Sequence, residues 1–202
     1  MLKRPAGRLL AFAAMIAVVA LSYACKGNEQ RAGAKNGPGA AHDTLSDVTV
    51  NEDGFGQIQI GMTLDDAVNM GLLNRNPNMN EKCDYVYPAV GAGVPENVGV
   101  MVVKGTIVRI DVDTGAVTTD DGAKIGDSED RIKNIYGDDV TVSPHKYNPG
   151  WHYMTVLGDS ASAGRAIVFE TDGKKVTRYR AGELPEVQWV EGCGSRGQCP
   201  GF

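Results

Sequence analysis

The feature that most restricts how this chain can fold is that part of it recurs. Ile60-Gly61-Met62-Thr63, followed by Asp65 and Asp66, returns 65 residues later as Ile125-Gly126-Asp127-Ser128 with Glu129 and Asp130. Residues 101–109 return 68 residues later as 169–177, and Tyr85 falls on Tyr153 at the same spacing. Two units of about 65 residues account for all three correspondences. In each unit a helix comes first. Thr63 and Ser128 are N-caps, because a hydroxyl there accepts an orphan N–H of the first turn. Acidic residues follow at the positive end of the helix dipole. Leu64, Ala67, Val68 and Leu72 give one apolar stripe, Ile132, Ile135 and Tyr136 the other, and Gly137 is a stop.

Strands follow each helix. Val98 to Val103, a Lys-Gly turn and Thr106 to Val112 predict one β-hairpin. Ala166 to Glu170, an Asp-Gly turn at 172–173 and Lys175 to Arg180 predict its twin. Residues 85–87 and 152–157 supply further strands, and 187–190 the last. The expected class is α+β, a tandem repeat of two helix-plus-antiparallel-sheet units at 55–122 and 123–193. Each sheet would bury one face under helix and leave the other wet.

Residues 1–24 read as an export signal. Lys3, Arg4 and Arg8 precede an apolar run from Leu9 to Leu21, shorter than the ~20 residues a membrane span needs. Residues 21–25 resemble a bacterial lipobox ending on Cys25, although Leu21 stands one place early and Tyr23 is bulky. Residues 25–54 read as a tether, rich in Gly, Ala and Asn at its start. Lipidation at Cys25 would anchor the chain on the periplasmic side of the outer membrane. Cleavage without lipid would leave it soluble in the periplasm. The net charge of −5 becomes more negative once the basic leader is removed, which argues against a nucleic-acid partner.

An exported chain meets an oxidising compartment, so cysteines are expected to pair. With Cys25 lipidated, Cys83, Cys193 and Cys199 remain. Cys83–Cys193 would tie the first unit to the end of the second and is favoured. Cys193–Cys199 would close a short loop at the head of a Gly-rich tail, 194–202. Without lipidation, four cysteines allow two bridges.

The most distinctive stretch runs from Pro144 to Tyr153. It gathers His145, Tyr147, Trp151, His152 and Tyr153 around Asn148-Pro149-Gly150, an aromatic set suited to a protein partner or to sugar rings. Two histidines are too few for a closed zinc site, and no metal or cofactor is expected. Gly126-Asp127-Ser128 and Gly158-Asp159-Ser160 echo a serine-hydrolase block, but Ser128 is a helix cap and Ser160 has no Asp-x-x-His after it, only His145 and His152 before it as geometric candidates for a base. The acids of Asp111-Val112-Asp113 read as strand-end residues, not a calcium loop, since the Gly and Glu of such a loop are misplaced. Arg178, Arg180 and Trp189 form a basic and aromatic group on the last strands.

The Gly61-Met62-Thr63-led helix followed by a sheet resembles the SmpA/OmlA group of outer-membrane assembly lipoproteins and the tandem fold of β-lactamase inhibitor protein, over about residues 55–190. Residues 143–147 and 185–193 resemble a group of Gram-negative envelope proteins. The resemblance implies an envelope protein that binds a protein partner and is not an enzyme. A periplasmic carbohydrate or peptidoglycan binder is the alternative, and a hydrolase the least favoured.

Overall fold

The computed structural model describes residues 48–95, 98–113, 115–159, 162 and 164–194. The leader, Cys25, most of the tether, Ser160 and Cys199 lie outside the described residues.

Tight turns, the first closed by the Asn51 side chain and the second holding Gly56, connect three two-residue strands, β1 (Val50–Asn51), β2 (Gly54–Phe55) and β3 (Ile58–Gln59), into a small antiparallel sheet. These strands begin inside the stretch read as tether. Helix α1 (Leu64–Asn69) leads to β4 (Leu73–Asn74), β5 (Cys83–Pro88), β6 (Val98–Val103) and β7 (Thr106–Val112). Helix α2 (Glu129–Tyr136) leads to β8 (Val140–Pro144), β9 (His152–Leu157), β10 (Arg165–Thr171) and β11 (Val176–Glu183). The last eight strands form one antiparallel sheet in the order β4-β5-β6-β7-β11-β10-β9-β8.

The α+β expectation is therefore corrected. The described chain is mostly β, with eleven strands in two antiparallel sheets and helices of only six and eight residues. Glycine ends both helices after a turn or two. Gly71 at φ 73° follows α1, so Leu72 falls past the helix, and Gly137 at φ 59° ends α2. The buried helical side chains are Leu64, Ala67 and Ile132, too few for a helical layer. The repeated motif is a shared way of starting a short helix against a hairpin. Gly61 N–H donates to Ile107 C=O at 2.8 Å, as Gly126 N–H does to Val176 C=O at 2.8 Å. Thr63 Oγ1 accepts from Asp66 N–H at 3.1 Å and Ser128 Oγ from Arg131 N–H at 3.2 Å.

The two hairpins share their irregularities. Each has a register shift, after Met101 in β6 and after Glu170 in β10. β7 and β11 pair so that Asp111 stands opposite Arg180. One face of the large sheet packs its Val, Ile and Phe side chains against the helices and the small sheet. Phe169 lies between Tyr136 and Tyr179, with ring centroids 5.7 and 5.6 Å away.

The second face is not simply wet. Residues 184–194 cross it, and the expected final strand at 187–190 is absent. Glu186–Gln188 is a 3-10 turn instead, after a cis Leu184–Pro185 peptide. Side-chain arginines, not a neighbouring strand, take up its carbonyls. Cys193 is bonded to Cys83, the favoured bridge, 110 residues away in sequence. No helix among the described residues is long and apolar enough to cross a membrane.

Candidate functional site

Strand pleat and register assemble a polar group on the second face. The residues of β6, β7, β10 and β11 that point away from the apolar core include Arg109, Asp111, Glu170, Arg178 and Arg180. The β7–β11 joint brings them side by side. Arg109 is 3 % exposed. Its Nε and one Nη hold Asp111 in a bidentate pair, both bonds 2.8 Å. It also donates to Tyr85 Oη at 2.7 Å, Glu186 C=O at 2.9 Å and Trp189 C=O at 2.7 Å. Burial works against its charge, yet the Asp111 carboxylate holds the guanidinium above its ordinary value. Burial and the same carboxylate push the Tyr85 phenol well up. Arg180 donates to Val187 C=O at 2.5 Å, and burial and neighbouring Arg109 lower it.

Glu170 is the second centre. Arg178 Nε and Arg180 each approach its carboxylate at 3.4 Å, and His145 Nε2 lies 3.1 Å away. His145 Nδ1 accepts the N–H groups of Tyr147 and Asn148 at 3.0 and 3.1 Å, so the proton of the neutral ring sits on Nε2 and points at Glu170. His145 stacks on Tyr153 at 4.7 Å and meets Trp151 edge-on at 5.5 Å. The Tyr153 hydroxyl is buried, and burial raises its phenol.

The five aromatic candidates from 145–153 thus divide. His145, Trp151 and Tyr153 meet on the second face, and Tyr147 stands at the loop tip, 56 % exposed. His152 sits on the opposite face, its Nδ1 2.8 Å from Glu129 Oε1 at the start of α2. Of the residues noted on the last strands, Arg178 and Arg180 join the Glu170 cluster. Trp189 packs against Cys83, Met101, Val108 and Cys193. Ser128 caps α2, and Asp111 is held by Arg109.

Sequence reasoning missed Tyr85, Arg109 and Glu170 and read Asp111 only as a strand-end acid. The available signal was charge at every second place inside runs of Val and Ile, which marks one side of a strand as polar.

Between residues 190–192 and Tyr87 lies an open cleft of about 330 Å³. Arg178 and Asp113 line it, and Gly99 leaves its floor without a side chain. Arg178 and Asp113 face each other at 3.8 Å with 51 % and 60 % of their side chains exposed. Burial and neighbouring Asp111 push the Asp113 carboxyl up. Lys146 and Glu191 pair at 3.1 Å, joining the 145–151 loop to the C-terminal segment.

Glu129 carries a pH prediction. Burial opposes its charge, but bonds from Thr171 Oγ1 at 2.5 Å and from His152 leave its carboxyl below the ordinary value. A depressed folded-state pKa contributes stability above the unfolded pKa of ~4.3, and that contribution is lost as pH falls through the folded value. Urea unfolding between about pH 7 and about pH 3 should show stability falling with acid, by no more than one proton's slope from this site. Glu129→Gln should flatten that part of the profile. An unchanged profile would show that Glu129 contributes nothing to it.

Comparison of the chain with protein-family profiles, curated proteins and solved structures found no match.

Proposed function

We propose that this is an exported, lipid-anchored protein on the periplasmic side of the outer membrane. In this reading it binds a protein partner, without enzymatic activity, through the sheet face carrying the 145–151 loop and the Arg178 cleft. One observation carries the reading. Two tyrosines, Tyr87 at 53 % and Tyr147 at 56 % exposure, stand out on a surface whose buried charges are already paired. Exposed aromatics beside satisfied polar groups are suited to burial against a partner. The lipobox-like sequence at Cys25 and the Cys83–Cys193 bridge support export. Glycan binding is the second reading, favoured by the half-buried Trp151 ring, which meets His145 edge-on as Tyr147 does.

A photo-crosslinking side chain at Tyr87 or Tyr147, expressed in the native envelope, should give the same discrete protein adduct from both positions. Lys133, on the opposite face, should give none. Absence of that adduct, or an equal one from Lys133, would overturn the reading. Intact mass of the purified protein should show loss of 1–24 and acyl mass on Cys25; an unacylated chain would replace the anchored form with the soluble one.

A further inference from the structure

We propose that the cleft lined by Arg178 and Asp113 reads the main chain of a partner's polypeptide, Arg178 donating to a carbonyl and Asp113 accepting from an N–H. This rests on the protein-binding reading above and names the chemistry by which the site would work.

The molecule already contains this kind of recognition. Sheet register, one residue on from the 68-residue sequence spacing that sets Arg109 on Thr177, gives Arg109 and Arg178 corresponding places in their hairpins, opposite Met101 and Glu170 and next to a register shift in each. Arg109 donates to two main-chain carbonyls of the C-terminal segment, Glu186 and Trp189, while Asp111 holds its guanidinium in plane. Arg180 takes a third carbonyl, that of Val187. This face therefore binds a polypeptide through arginine-to-carbonyl bonds, largely independent of side-chain identity, and its own segment fills those positions.

Arg178 is the arginine left open. It is half-exposed, and its contacts to Glu170 and Asp113, at 3.4 and 3.8 Å, are longer than normal N–H···O bonds. The charges around it select the ligand. An anion reaching Arg178 meets the carboxylates of Glu170 and Asp113, and a cation reaching Asp113 meets Arg178. A neutral amide with its donor and acceptor side by side suits both groups at once. The cleft volume, about 330 Å³, lies at the small end of ligand pockets, roughly 300–1,000 Å³, and suits a short segment. Gly99 supplies depth: a Cβ there would meet the Tyr85 ring at 3.4 Å and Asp111 Cβ at 3.5 Å, so alanine narrows the floor without a severe clash.

The test is an NMR titration of isotope-labelled protein with a pool of N-acetylated, C-amidated random hexapeptides, and separately with neutral oligosaccharides. The peptide pool should shift the Arg178 Nε–H and Gly99 N–H signals. Arg178→Lys, which keeps the charge and loses the fork, should weaken this by about tenfold, and Asp113→Asn should weaken it too. Both positions are exposed, so unchanged amide spectra elsewhere will show that the variants fold. No shift at millimolar peptide, an equal response in the variants, or a response to oligosaccharide alone would overturn the proposal. If crosslinking at Tyr147 still captures the partner with unchanged yield in both cleft variants, main-chain reading falls while the protein-binding function stands. If no adduct forms in the parent protein, it is the wider reading that fails.

Discussion

Arg109→Ala should destabilise the protein by about 3–5 kcal/mol, the usual result of removing one partner from a buried ion pair. The guanidinium holds Asp111, Tyr85 and two carbonyls of the C-terminal segment. Its loss strands a largely buried carboxylate, whose side chain is 13 % exposed. It also leaves a phenol and two carbonyls short of a donor, each an unsatisfied group costing on the order of 1–3 kcal/mol if water cannot reach it. Arg109→Lys should recover only part of the loss, because an ammonium has no planar fork for Asp111. Removing Asp111 together with Arg109 should cost less than the sum of the single changes, since neither charge is then left alone. Urea unfolding at neutral pH measures all three. A loss below about 1 kcal/mol for Arg109→Ala would mean that water replaces the guanidinium and that the cluster is not dry.

Cys83→Ser with Cys193→Ser should cost about 4 kcal/mol. The bridge closes a loop of 110 residues, and the loop-entropy estimate for a loop near 100 residues is ~4.7 kcal/mol before native-state effects. The same residues make the loss local as well as global. Cys193 ends the segment whose carbonyls face Arg109 and Arg180, and Val187 of that segment is buried against Ala166 and Val168. Hydrogen exchange should therefore show amides of residues 184–194 opening in the serine variant well below the free energy of global unfolding, while β6, β7, β10 and β11 stay protected. Combined with Arg109→Ala, the loss should be sub-additive, because both changes release one segment. A fully additive pair would show that bridge and arginine act on different parts of the fold.

Local chemistry was legible in the sequence wherever a few neighbouring residues decide the outcome. The hairpin at Lys104-Gly105 forms as expected, with both residues at positive φ, 50° and 83°. The second turns at Asp172-Gly173, Asp172 Oδ1 taking up the N–H groups of Lys174 and Lys175. Thr63 and Ser128 cap their helices as read. The first helix was overestimated, because the apolar stripe running to Leu72 looked continuous while Gly71 cuts it off; the second stops at Gly137 as read, but neither is long enough to form a layer. The run Val187-Gln188-Trp189-Val190 alternates like a strand, but its carbonyls are taken by Arg109 and Arg180 and no ladder forms. Burial on the second face follows from that segment lying across it.

By itself, then, the sequence determined the strand pairs joined by tight turns, the starts of the helices and, to within one residue, the recurrence that makes the two hairpins alike. Each depends on interactions spanning a few residues or on the period-2 pleat. It also narrowed the cysteines to two candidate bridges. Only the tertiary structure decided that β7 pairs with β11, and that contact sets Asp111 beside Arg180 and Arg178 beside Asp113. Only the tertiary structure sent His145 inward to Glu170 and His152 to Glu129 on the other face. A charged side chain in a strand carries no local mark of its partner. The partner is chosen when sheet register and a returning C-terminal segment exclude water from the space between them.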